Sequence, residues 1–91
     1  MATKKNYYYV LVFTNEGAVY VTGRNNVNKV AYWNKDEKPL EMCKAVAEDL
    51  VFGLHCNFTS AVMVCHPRPI ETQPYNYEYF ECKFVEKENK A

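Results

Sequence analysis

Residues 7–13 read YYYVLVF, and this run sets the problem that the rest of the chain must solve. In a strand, successive side chains point to opposite faces. Tyr7, Tyr9, Leu11 and Phe13 then share one face, and Tyr8, Val10 and Val12 share the other. Both faces are too apolar to be left in water. The run is too short to span a bilayer and is rich in strand formers. It therefore reads as a β-strand that needs a cover on each side.

The following segments supply candidates for that cover. A turn at TNEG leads to a second strand over 18–22, AVYVT, and a turn at GRNNVN leads to a third over KVAYWN. Sequential strands joined by short turns pair as an antiparallel meander. The pattern then changes. Cys43, Val46, Ala47, Leu50, Val51 and Leu54 recur at spacings of three and four, which predicts an amphipathic helix over about 39–54. Pro39 suits its first position, Glu41 its first turn, and Gly53 weakens or ends its last turn. SAVMVCH reads as a further strand closed by Pro67 and Pro69, and YEYFECKFVE as the last, with Phe80, Cys82 and Phe84 on its apolar side.

The expected architecture is α+β: one small antiparallel sheet, in the order β-β-β-α-β-β, with one helix packed on one face. Residues 1–91 form a single domain, with 1–5 and 86–91 frayed at its ends. The predicted core is Val10, Val12, Val19, Val21, Val46, Leu50, Leu54, Val62 and Val64. A lone helix covers one sheet face. The other must be buried by the chain itself or by a partner.

Charge narrows the classes of function. Eleven basic residues balance eleven acidic ones, so the net formal charge is zero, which weighs against non-specific nucleic-acid binding. The distribution is uneven, with a surplus of positive charge in residues 1–38 and of negative charge in 39–91. Such asymmetry can orient a partner or a second copy. MATKK runs straight into NYYYVLVF with no export signal between them, so a cytoplasmic location is expected, with no membrane association. The four cysteines are then expected as reduced thiols, with Cys43 and Cys82 as small buried hydrophobes.

The stretch HCNFTSAVMVCHP places a histidine and a cysteine at each end of an apolar run. Zinc sites usually draw close ligand pairs from a turn, as in C-x₂-C, and the adjacent pairs His55–Cys56 and Cys65–His66 lack that spacing. A thiol catalyst needs a cysteine within reach of a histidine and a site for the developing oxyanion, and no glycine-rich turn flanks any cysteine here. No catalytic, metal or cofactor-binding residue is assigned.

The aromatics carry the expected function. Eight tyrosines and one tryptophan in 91 residues suit contact surfaces, because these side chains combine a large ring with a polar end. The sequence predicts a non-catalytic protein-interaction module, regulatory or inhibitory in kind, using an aromatic-rich sheet face or edge. Its contacts would be Tyr7, Tyr9, Tyr20, Tyr32, Trp33, Tyr75, Tyr77 and Tyr79, and its partner another protein or a second copy of itself. The alternatives are single-stranded nucleic-acid binding, with exposed Tyr9, Tyr20 and Tyr32 as stacking rings and Lys4, Lys5, Arg24 and Lys29 on phosphates, or a small thiol- or metal-dependent enzyme.

Overall fold

A computed structural model describes residues 6–74 and 80–86 of the chain. The elements are β1 (Tyr7–Thr14), β2 (Gly17–Tyr20), β3 (Gly23–Asn25), β4 (Val30–Trp33), α1 (Lys44–Cys56), β5 (Ala61–His66) and β6 (Phe80–Lys83). They build an α+β fold in which one helix packs on β1 and β5. The expected class stands. The sheet, however, is two three-stranded antiparallel sheets, ordered β2-β1-β5 and β3-β4-β6.

The division arises inside the expected second strand. Val21 donates its N–H to Val10 O at 2.9 Å, the last rung against β1. The next residue, Thr22, donates to Tyr32 O at 2.8 Å and so opens the ladder with β4. β2 and β3 are thus two halves of one bent strand, and the bend turns the corner between sheets. The hairpin that follows lies later than expected. Gly23–Asn25 is paired strand, and the chain turns at Asn26–Lys29, with Asn25 Oδ1 accepting from the backbone of Val27 and Asn28.

Where β2 departs, Leu40–Met42 fills the vacated edge of β1. Leu40 N–H bonds Val21 O at 2.8 Å, and Met42 N–H bonds Tyr8 O at 3.0 Å. These contacts hold Leu40–Met42 in an extended conformation, which is why the helix starts at Lys44 and not at Pro39. Pro39 is buried in the loop, and exposed Cys43 is the N-cap, with no side-chain cap bond.

The core joins both sheets and the helix. Val10, Val12, Val19, Val21, Leu50 and Leu54 are buried as expected, with Ala31, Trp33, Ala47, Ala61 and Phe84. Val46 is only half-buried because the helix turns Ala47, Leu50, Gly53 and Leu54 inward. Val62 and Val64 belong to the wrong face. The register sets Val12 against Ala61 and Val10 against Met63, so the helix side of β5 carries Ala61 and Met63 and the valines point outward. Of the two cysteines expected to be buried, Cys43 is exposed, whereas Cys82 is half-buried and packed against the core; Cys56 and Cys65 are exposed.

Gly53 neither ends nor weakens the helix for want of a better residue. A Cβ built there would lie 2.1 Å from Val85 O and 2.7 Å from Val85 N. The C-terminal segment crosses the helix at this glycine, and Phe84 enters the core beside it, its N–H bonded to Lys29 O at 2.7 Å. Glu86, expected among the frayed residues, pairs with Lys29. The rest of the expected frayed ends, 1–5 and 87–91, lies outside the described residues. Gly53→Ala must displace backbone, not a flexible side chain. It is expected to cost roughly 2–4 kcal/mol in urea unfolding, combining overpacking with partial loss of Phe84 burial.

Candidate interaction surface

The face of β2-β1-β5 turned away from the helix carries Tyr7, Tyr9, Leu11 and Phe13 from β1, Val62, Val64 and His66 from β5, and Ala18 and Tyr20 from β2. Part of it is covered by the chain. Ile70 donates its N–H to the Tyr9 hydroxyl at 2.9 Å, and Tyr9 is 1% exposed, its ring edge-on to Tyr20 at 5.9 Å between centroids. The Gln73 amide accepts from Tyr20 N–H at 2.8 Å and donates to Tyr20 O at 3.0 Å. It occupies the free edge of β2 as a strand neighbour would.

The other end of this face stays open. Phe13 is 46% exposed and Val62 43% exposed, with Leu11 and Val64 half-buried between them. Beside Phe13, a groove of about 520 Å³ runs between the β1–β2 hairpin and the loop after α1, with Trp33 and Phe58 in its lining.

Phe58 is placed by the end of the helix. Thr59 N–H bonds Leu54 O at 2.8 Å, and Phe58 N–H bonds His55 O at 3.0 Å. This pair of bonds is a Schellman cap, and it requires a left-handed residue at Phe58, whose φ is 63°. Glycine adopts that conformation freely and phenylalanine does not. The ring gains nothing from burial in return, because Phe58 is 99% exposed. The left-handed backbone closes the helix, but the large, fully exposed apolar ring contributes nothing to the fold itself.

Of the residues expected at the contact surface, Trp33 is 1% exposed and, with Tyr9, belongs to the interior. Trp33 is inward because β4 sets Ala31 and Trp33 toward the core. These two are corrected from contact residues to core residues. Tyr7, Tyr20 and Tyr32 are half-buried, and Tyr75, Tyr77 and Tyr79 lie outside the described residues. The surface that the sequence passed over is aliphatic and phenylalanine-rich: Leu11, Phe13, Phe58, Val62 and Val64. The Asn57-Phe58 step after an apolar helix was a usable signal for Phe58, because helices very commonly end in a left-handed residue. Gly53 drew that role away from it.

The candidate phosphate contacts are engaged within the fold. The Arg24 guanidinium lies 5.9 Å from the Phe84 ring centroid and bonds the Asn26 side chain. Lys29 bonds Glu86, and that hydrogen bond, together with the lysine charge, holds the Glu86 carboxyl below the usual carboxylate range. Lys4 and Lys5 lie outside the described residues.

The histidine–cysteine pairs do not meet. His55 Nε2 bonds Ala61 O at 2.8 Å at the start of β5, and His66 ends the same strand with Nδ1 against Arg68 O at 3.1 Å. Five strand steps separate these ends by about 16 Å. Among the described residues, no three metal-binding side chains gather, and no helix is long and apolar enough to cross a membrane. No protein-family model, curated protein or solved structure matches this chain.

Two outcomes are expected. Phe58→Gly relieves the left-handed strain and should stabilise the fold by about 1 kcal/mol, read as a higher urea midpoint at unchanged slope. Burial, and then the neighbouring Tyr9, raise the Tyr20 pKa above its ordinary value. The fold therefore disfavours the tyrosinate. Tyr20 contributes stability that is intact below the unfolded tyrosine pKa of about 10 and is lost as pH rises through the higher folded value. Tyr20→Phe should lessen the fall in stability above pH 10, measured by denaturant unfolding at successive pH values.

Proposed function

We propose that this chain is a non-catalytic protein-interaction module whose contact surface is the open apolar end of the β2-β1-β5 sheet together with the Phe58 loop. The observation that carries this is Phe58, strained at its backbone and bare at its side chain. The cap needs a left-handed residue but not a phenylalanine, and an ill-suited side chain kept where the fold gains nothing from it points to use outside the fold. Phe13 and Val62 extend the exposed apolar surface, and the groove between Phe13 and Phe58 has room for an apolar side chain of a partner. Aromatic side chains, phenylalanine included, are enriched at protein interfaces relative to the rest of the surface.

The nucleic-acid alternative draws less support. Tyr9 is covered, Arg24 lies against Phe84, and Lys29 is paired with Glu86. No stacking ring stands free beside an unengaged cation among the described residues of that set.

The test compares immobilised wild-type protein with Phe58→Gly in capture from source-cell lysate, followed by mass spectrometry. A specific protein retained by the wild type should be lost, or retained at least tenfold less, with Phe58→Gly, although the variant is the more stable of the two. Equal capture by both, or capture dominated by nucleic acid that salt releases, overturns the proposal.

A further inference from the structure

The edges of the β2-β1-β5 sheet are treated unequally. The pairing of β1 with β5, together with the Phe13 N–H to Ser60 O bond at 2.9 Å, fixes which backbone groups of β5 face β1. Antiparallel pairs alternate between bonded and non-bonded, so Val62, Val64 and His66 bond inward and Ala61, Met63 and Cys65 aim their N–H and C=O groups outward. The bond from His55 Nε2 to Ala61 O at 2.8 Å agrees with this, because it closes one of those outward carbonyls. Among the described residues nothing bonds the outward groups of Met63 or Cys65. On the opposite edge of the sheet, by contrast, Gln73 closes the outward groups of Tyr20.

We infer that β5 is the edge through which two copies of this chain pair, antiparallel, about a two-fold axis at Met63. The inference rests on the protein-binding function proposed above and names a second copy as one partner. Three features select a second copy. The outward residues are spaced symmetrically about Met63, so the register that sets Met63 against its copy gives every outward donor an acceptor: Met63 to Met63, and Ala61 to Cys65, in both directions. No residue of β5 is Asp, Glu, Lys or Arg, so antiparallel self-pairing brings no like charges together. The same register sets Val62 against Val64 of the other copy on the outer face, which extends the open apolar surface across the junction. The β2-β1-β5 sheets of the two copies become one of six strands, ordered β2-β1-β5-β5-β1-β2. His55 acts as a gatekeeper: its imidazole must leave Ala61 O before the outer bonds of the register form.

Sedimentation equilibrium of the full chain from micromolar to millimolar concentration tests this, with two kinds of variant. Cys65→Pro removes an outward N–H and no bond within the monomer, and an exposed edge position tolerates proline. It deletes two bonds of the symmetric pair, one from each copy, and should weaken the dimer roughly tenfold to a hundredfold. Should that variant fail to fold, the doubly substituted Val62→Lys/Val64→Lys chain decides. It should be monomeric alone and should form a heterodimer when mixed with Val62→Glu/Val64→Glu, because the register sets position 62 against 64. A wild-type chain that stays monomeric throughout, or a dimer indifferent to the lysine pair and not rescued by mixing, overturns the inference. Monomeric wild type that still captures a protein through Phe58 would sink self-pairing alone. Loss of both would sink the interaction module as well.

Discussion

At Val21–Thr22 one strand changes partners, and much of the molecule follows from that exchange. Val21 closes its ladder on Val10, and Thr22 opens the next on Tyr32. The bend leaves β1 with an unfilled edge, which draws in Leu40–Met42 and so delays the helix to Lys44. It also splits the strands into two sheets whose inner faces meet in one core, with Val10, Val12, Val19 and Val21 against Ala31, Trp33 and Phe84. A flat single sheet could not have buried Trp33 and Phe84 together with Leu50.

The double apolarity of β1 is resolved by different means on its two faces. The helix covers Tyr8, Val10 and Val12 with Ala47, Leu50 and Leu54. On the other face the loop after β5 lays Ile70 against the Tyr9 hydroxyl and ends the cover near Gln73. Tyr9 could be buried because its hydroxyl accepts a backbone donor there. Leu11, Phe13, Val62 and Val64 lie beyond the reach of that loop, and the apolar surface they leave is continuous with the β5 edge. Among the described residues, the open apolar surface is thus the part of this face that the loop after β5 does not reach.

Chemistry-bearing side chains are dispersed by the same architecture. Strand β5 runs from Ala61, beside His55, to Cys65 and His66 at its far end, so it holds the two histidine–cysteine pairs apart. Each histidine instead satisfies a nearby backbone carbonyl. The lysine and arginine that could have met phosphate anchor the C-terminal segment, Arg24 on Phe84 and Lys29 on Glu86.

Periodicity alone determined the α+β class, the antiparallel hairpins, the helix stripe through Leu50 and Leu54, and the inward sets of β1 and β2, because these depend on neighbours within a few residues. It also showed that β1 is apolar on both faces, and hence that a second cover was needed. What it could not determine is anything set by segments far apart in sequence. The face of β5 was decided by its register on β1, since one step of slip exchanges Ala61 and Met63 for Val62 and Val64. The purpose of Gly53 was decided by a segment more than thirty residues later crossing at Val85. Tyr9 and Trp33 read as surface aromatics until Ile70 and the second sheet closed over them. The helix, expected to end at about residue 54, runs on to Cys56, and only that end puts Phe58 in the left-handed cap. Local spacing fixes which side chains share a face, whereas which face is covered, and by what, is settled by long-range packing.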